Sequence, residues 1–230
     1  METPRGSTEQ EADIVGRHAL LAATLCRPDG ARGIIAFAHG SGSSRFSPRN
    51  RSVARRLNTA GFATVLADLL TPEEERADRL TGHRRFDIGF LAIQFGAVAD
   101  WLVAQPPLRD LPCGYFGAST GAGAALVAAT ARPACVRALV SRGGRPDLAG
   151  AALPQVAAPT LLIVGSRDVE MLALNQAALD RMACVRKLAV VPGAAPLFDL
   201  PGTLNAAAAP VQDRLVRAVP ARRWVPRSTP

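Results

Sequence analysis

Histidine is scarce in this chain. There are three, His18, His39 and His83, and none follows position 83. Lysine is scarcer still, because Lys187 is the only one among 27 basic residues. The four cysteines, Cys26, Cys113, Cys135 and Cys184, form no C-x-x-C pair, which excludes a zinc or thioredoxin-like reading. No apolar run reaches the roughly 18 residues of a membrane-crossing helix. The segment 1–13 has no apolar stretch and carries Glu2, Glu9, Glu11 and Asp13, so no secretory signal is expected. Reduced thiols in a cytoplasmic protein follow as the expectation. At 48% hydrophobic and 20% charged residues, the composition excludes a disordered or collagen-like chain.

The net charge is +8. Part of the excess is terminal, since residues 211–230 hold Arg214, Arg217, Arg222, Arg223 and Arg227 against Asp213. Arginine, alanine and proline are abundant together along the chain. A solvated surface plus a basic tail accounts for the charge, and no specific nucleic-acid partner and no membrane are expected.

Strand and helix signals alternate. Apolar runs at 18–24, 33–38, 62–70, 113–116, 136–140, 159–164 and 187–191 read as strands. Helical spacing marks 47–60, 86–105, 119–131 and 171–182, while 71–84 reads as charged and irregular. This alternation predicts a doubly wound, mainly parallel sheet of six to eight strands with helices on both faces. The organisation expected is a polar segment at 1–13, one α/β domain over 14–209 and a frayed tail over 210–230.

The strongest motif is Gly117-Ala118-Ser119-Thr120-Gly121, a G-x-S-x-G run between a strand and a helix. That context suits a nucleophilic serine on a tight turn at a helix N-terminus; a structural turn is the alternative. His39-Gly40-Ser41-Gly42-Ser43-Ser44 follows an earlier strand in the same way. It lacks the lysine of a phosphate-binding P-loop. Asp168 closes the strand ending Leu161-Leu-Ile-Val164, where an acid would follow the nucleophile in triad order; a cap on the next helix is the alternative. Arg45, Arg49, Arg51, Arg142 and Arg145 cluster near strand ends, either as an anion-binding pocket or as ordinary surface arginine.

Several stretches together carry a resemblance. They are His39-Gly-Ser-Gly-Ser-Ser-Arg45, Asp68-Leu-Leu-Thr-Pro-Glu-Glu-Glu75, Gly114-Tyr-Phe-Gly-Ala-Ser-Thr-Gly121, Ser141-Arg-Gly-Gly-Arg-Pro-Asp147 and Leu161-Leu-Ile-Val-Gly-Ser-Arg-Asp168. Over about residues 14–204 the chain resembles the dienelactone hydrolase-like branch of the α/β-hydrolase superfamily. The resemblance implies Ser119 as nucleophile, where dienelactone hydrolases proper use cysteine, and Asp168 as the acid. Backbone N–H groups of Ser41 and Thr120 would form the oxyanion hole. No cofactor or metal is expected, and the partner is a small-molecule substrate or ligand.

The pattern breaks at the base. The loop Val191-Pro-Gly-Ala-Ala-Pro-Leu-Phe198 resembles one reading Pro-Gly-Ala-x-His-Leu-Phe, which puts Pro196 where the catalytic histidine stands. His39 and His83 are the candidate replacement bases. The expectation is therefore a serine hydrolase of small carboxylic esters or lactones with impaired activity. The alternative is a non-catalytic protein that binds anionic ligands on the same scaffold.

Overall fold

The computed structural model describes residues 6–17, 19–198 and 202. His18 and the tail 210–230 lie outside the described residues. Eight strands form one sheet: β1 (Ser7–Val15), β2 (Leu20–Pro28), β3 (Ile34–Ala38), β4 (Ala63–Ala67), β5 (Cys113–Ser119), β6 (Val136–Gly144), β7 (Thr160–Gly165) and β8 (Arg186–Val191). Their order is β1-β2-β4-β3-β5-β6-β7-β8. β2 runs antiparallel to β1 and β4, and every pair from β4 to β8 is parallel. The sheet and helices are those of the α/β-hydrolase fold.

The central strands are apolar along their whole length because both faces are covered. In β3 (Ile34-Ile-Ala-Phe-Ala38) and β4 all five residues are buried. On one face, Val53, Ala54 and Leu57 of α1 (Pro48–Thr59) pack with Phe37, Phe62 and Phe116. On the other, α4 (Ile88–Ala104), α5 (Thr120–Thr130) and α6 (Val169–Arg181) bury Phe95, Leu126 and Ala178 beside Tyr115. Ser47 caps α1 through its Oγ and Asn50 N–H at 3.4 Å, with Pro48 in the first turn.

Two expectations need correction. The segment 71–84 is not irregular, because Pro72–Thr81 is a helix, α2, and His83–Phe86 is a short one, α3. A capping box starts α2. Glu74 N–H donates to Thr71 Oγ1 at 3.2 Å, and Thr71 N–H donates to Glu74 Oε2 at 3.0 Å. Asp78 joins the two helices by accepting Arg84 N–H at 2.6 Å and Arg85 Nε–H at 2.6 Å. The second correction is at the start of the chain. Residues 7–13 of the polar segment belong to β1, so the expected boundary at residue 14 falls inside a strand, and the next strand is Leu20–Pro28 rather than 18–24. β1 is an edge strand, exposed along most of its length, and needs little apolar character.

Candidate active site

Every parallel strand ends at the same edge of the sheet, and the predicted residues lie in the turns that follow. Ser119 ends β5 with φ 51° and ψ −129°, a left-handed backbone that a non-glycine residue seldom adopts. Its carbonyl accepts Arg145 N–H at 3.0 Å, which ties the turn to the end of β6. The flanking glycines are required by proximity. A Cβ at Gly117 would lie 2.4 Å from Ala122 Cα, and one at Gly121 would lie 2.4 Å from the Ala38 and His39 carbonyl oxygens. A strained strand-to-helix turn with close-packed flanking glycines is the geometry a nucleophile elbow requires.

The His39–Ser44 loop passes directly over it. A Cβ at Gly40 would lie 2.7 Å from Ser119 Cβ and 3.4 Å from Ser119 Oγ. One residue on, Ser41 N–H donates to Thr120 Oγ1 at 2.9 Å. The structure thus brings Ser41, Thr120 and Ser119 together. A cavity of about 250 Å³ opens beside them, lined by this loop, Thr120, Asp68, Leu70, Glu75 and the α2–α3 helices. Ser119, partly exposed, adjoins Gly40 and Thr120 but is not among the residues lining this cavity.

His39 is held in one tautomer. Its Nε2 accepts Leu69 N–H at 3.0 Å, so Nδ1 carries the proton and donates it to Gly40 O at 2.9 Å. Neither nitrogen is free to take a proton from Ser119. Burial pushes its pKa below the usual imidazole range, against the opposing pull of the Gly40 carbonyl, Asp68 and Glu75. The unfolded chain binds a proton near pH 6.5 that the folded chain resists. Stability is therefore full above that pH and falls as the pH drops below it, by up to about 1.4 kcal/mol per pH unit. Urea titrations at pH 7.5 and pH 5.5 should show this fall, and His39→Leu should flatten it while lowering stability throughout. His83 is exposed at the start of α3 and does not line the cavity.

Asp168 is buried beyond the end of β7, and caps α6 by accepting Met171 N–H at 3.4 Å. The loop after β8 closes on the same edge. Gly193 N–H donates to Ser166 Oγ at 2.8 Å, and Arg167 N–H to Ala194 O at 3.1 Å. A Cβ at Gly143 would lie 3.0 Å from Pro196 O. Gly143 adjoins Gly144, which pairs in register with Ser119. Pro196 thus stands over the strand next to Ser119, exposed and with no side-chain acceptor. Among the described residues Ser119 Oγ has no hydrogen-bond partner.

Most of the clustered arginines are paired within the chain. Arg45 binds Asp68 and lies 3.3 Å from Glu11; Arg51 meets Glu9 at 3.2 Å and Arg145 meets Asp147 at 2.8 Å. Arg142 differs. It is 6% exposed and gives only Nη2 to Asn50 Oδ1 at 3.0 Å, with Nε and Nη1 unpartnered. Burial, with Arg49 adding repulsion, lowers its pKa to about 10. Sequence reasoning missed the Thr120 side chain, having valued only its backbone, and it missed α2 as a cavity wall. Thr71-x-x-Glu74 was the available signal for α2. Among the described residues no group of three or more His, Cys, Asp or Glu could hold a metal, and no helix is long and apolar enough to cross a membrane.

No family model matches the chain. Two Mycobacterium tuberculosis proteins, from strains CDC 1551 / Oshkosh and ATCC 25618 / H37Rv, are 56% identical over 197 residues, 86% of this chain. Each is named "Putative phosphoribosyl transferase", and the chain spans only 44% of their length. Est1E from Butyrivibrio proteoclasticus shares the fold, with a TM-score of 0.74 at 16% identity over 91% of this chain and 98% of that one. The crystal structure of dienelactone hydrolase from Anabaena variabilis is far nearer, with a TM-score of 0.90 and 51% identity over 93% of this chain and 99% of that one. Identity of that degree, over nearly the whole of both chains, makes this chain a member of the dienelactone hydrolase family.

Proposed function

We propose that the chain is a serine hydrolase of small carboxylic esters or lactones whose turnover is slowed by Pro196. The left-handed Ser119 turn, set between β5 and α5 under the His39–Ser44 loop, is the observation that carries this reading. Ser119 Oγ attacks the substrate carbonyl carbon, and the carbonyl electron pair moves to its oxygen. Hydrogen-bond donors at the α5 N-terminus, under the loop, stabilise that charge. Collapse breaks the ester C–O bond, and the leaving oxygen takes a proton; in a lactone it stays tethered to the acyl group. Water then releases the acid from Ser119.

The serine proton needs an acceptor, and solvent water is a poor substitute for imidazole. A general base contributes typically 10²–10⁴-fold, which sets the scale of the deficit. Asp168 is the acid that would orient an imidazole at position 196. The four cysteines are free, which suits a reducing cytoplasm. The transferase in the mycobacterial names belongs to chains of which this one spans 44%. The test is turnover of p-nitrophenyl acetate and of a simple lactone. A slow rate that disappears in Ser119→Ala is expected, and a rate unchanged by that substitution overturns the reading.

A second reading, a non-catalytic protein for anionic ligands, is favoured by Arg142 and its two unmatched donors. Binding of a small carboxylate with no Ser119-dependent turnover would select it.

A further inference from the structure

The hydrogen bond from Ser41 N–H to Thr120 Oγ1 changes what the oxyanion hole is made of. That N–H is the donor the loop would offer to a substrate oxygen, and here the Thr120 hydroxyl already engages it at 2.9 Å. A hydroxyl has one proton to give and two lone pairs to receive with. Having accepted from Ser41, Thr120 Oγ1 keeps its own proton for another acceptor, and no acceptor is present among the described residues. Thr120 is 3% exposed and lines the cavity beside the nucleophile.

We infer that the Thr120 hydroxyl is a catalytic member of the oxyanion hole, accepting the Ser41 N–H on one side and donating its proton to the substrate oxygen on the other. This rests on the serine hydrolase reading above. The hole then has two donors from one residue, Thr120 N–H and Thr120 Oγ–H, with Ser41 polarising the second. In a water-poor site such a chain strengthens the terminal donor. The competing role is a stopper, with the hydroxyl filling the hole and blocking it.

Phenylboronic acid separates these roles without needing a base. It forms a B–O bond to Ser119 Oγ, releases the hydroxyl proton to buffer and leaves an anionic tetrahedral boron with an oxygen in the hole. Calorimetry should show Thr120→Ser binding within a few-fold of wild type and Thr120→Val, of the same shape, binding about tenfold or more weakly. In a Pro196→His background, Thr120→Val should lower kcat about 10²-fold with little change in KM, and Thr120→Ser should retain most of the rate. Thermal unfolding checks that each variant is folded. Thr120→Val binding or turning over as well as wild type, or better, overturns the inference. Boronate binding lost in Ser119→Ala but indifferent to Thr120 overturns the inference alone. Binding that survives in Ser119→Ala, with no ester turnover in Pro196→His, removes the hydrolase reading and this inference with it.

Discussion

Pro196→His should raise Ser119-dependent ester turnover by about 10²–10⁴-fold, the usual worth of a general base. The position is prepared for it. The loop is tied to the turn after β7 through Ser166 and Arg167, and its Pro196 carbonyl lies against Gly143, beside the register partner of Ser119. Asp168 lies buried at the same edge, and on the hydrolase reading it would hold the imidazole. Replacing proline sacrifices no N–H bond, and its backbone angle is open to histidine. Only the neutral imidazole accepts a proton, so the new rate should rise with pH through about 6.5 and then level. Adding Ser119→Ala should abolish the gain. A Pro196→His protein that folds but turns over no faster than wild type would show that the loop does not deliver its side chain to the serine.

Gly121→Ala should be among the more damaging single methyls in the described part of the protein. The added carbon would meet two backbone carbonyl oxygens, Ala38 O and His39 O, each at 2.4 Å. Neither can turn aside as a side chain can, so β3 and α5 must separate. Overpacking of this kind costs about 3 kcal/mol. For a domain of this size that lowers Tm by roughly 6–12 °C. Gly89→Ala is the control, because its nearest neighbour would be the Asp87 carboxylate at an ordinary 3.5 Å. It should be neutral or mildly stabilising in a helix. Equal Tm values for the two variants would contradict the close packing at the elbow.

Much of the fold was legible because its signals are local. Continuous apolar runs such as Ile34–Ala38 announce strands buried on both faces, and Ser47-Pro48 announces a helix start. β1 was illegible for the opposite reason: an edge strand with one packed flank can be as polar as Ser-Thr-Glu-Gln-Glu, and only its pairing with β2 reveals it. α2 was hidden by its charge, since its exposed face is Glu- and Arg-rich. In the site, the serine turn and its flanking glycines were readable from spacing. The role of His39 was not. Both of its partners are backbone groups, Leu69 N–H and Gly40 O, and no side-chain motif records a backbone partner. The bond between Ser41 and Thr120 spans 79 residues and exists only once the loop and the elbow have met.

Composition invites trimming of the first thirteen residues as a polar leader, and the β1–β2 ladder argues against it. Of its nine residue pairs, the seven from Ser7↔Pro28 to Asp13↔Ala22 would be removed, leaving only Ile14↔Leu21 and Val15↔Leu20. What would be uncovered is β2, whose Leu21, Ala23 and Leu25 are at most 3% exposed. An open, apolar strand edge is a template for a second chain. Glu9, Glu11 and Asp13 put charge on the outermost strand, a feature that disfavours edge-to-edge pairing with a second chain. A shortened protein starting at residue 14 should precipitate in proportion to its concentration even where its remaining core is intact.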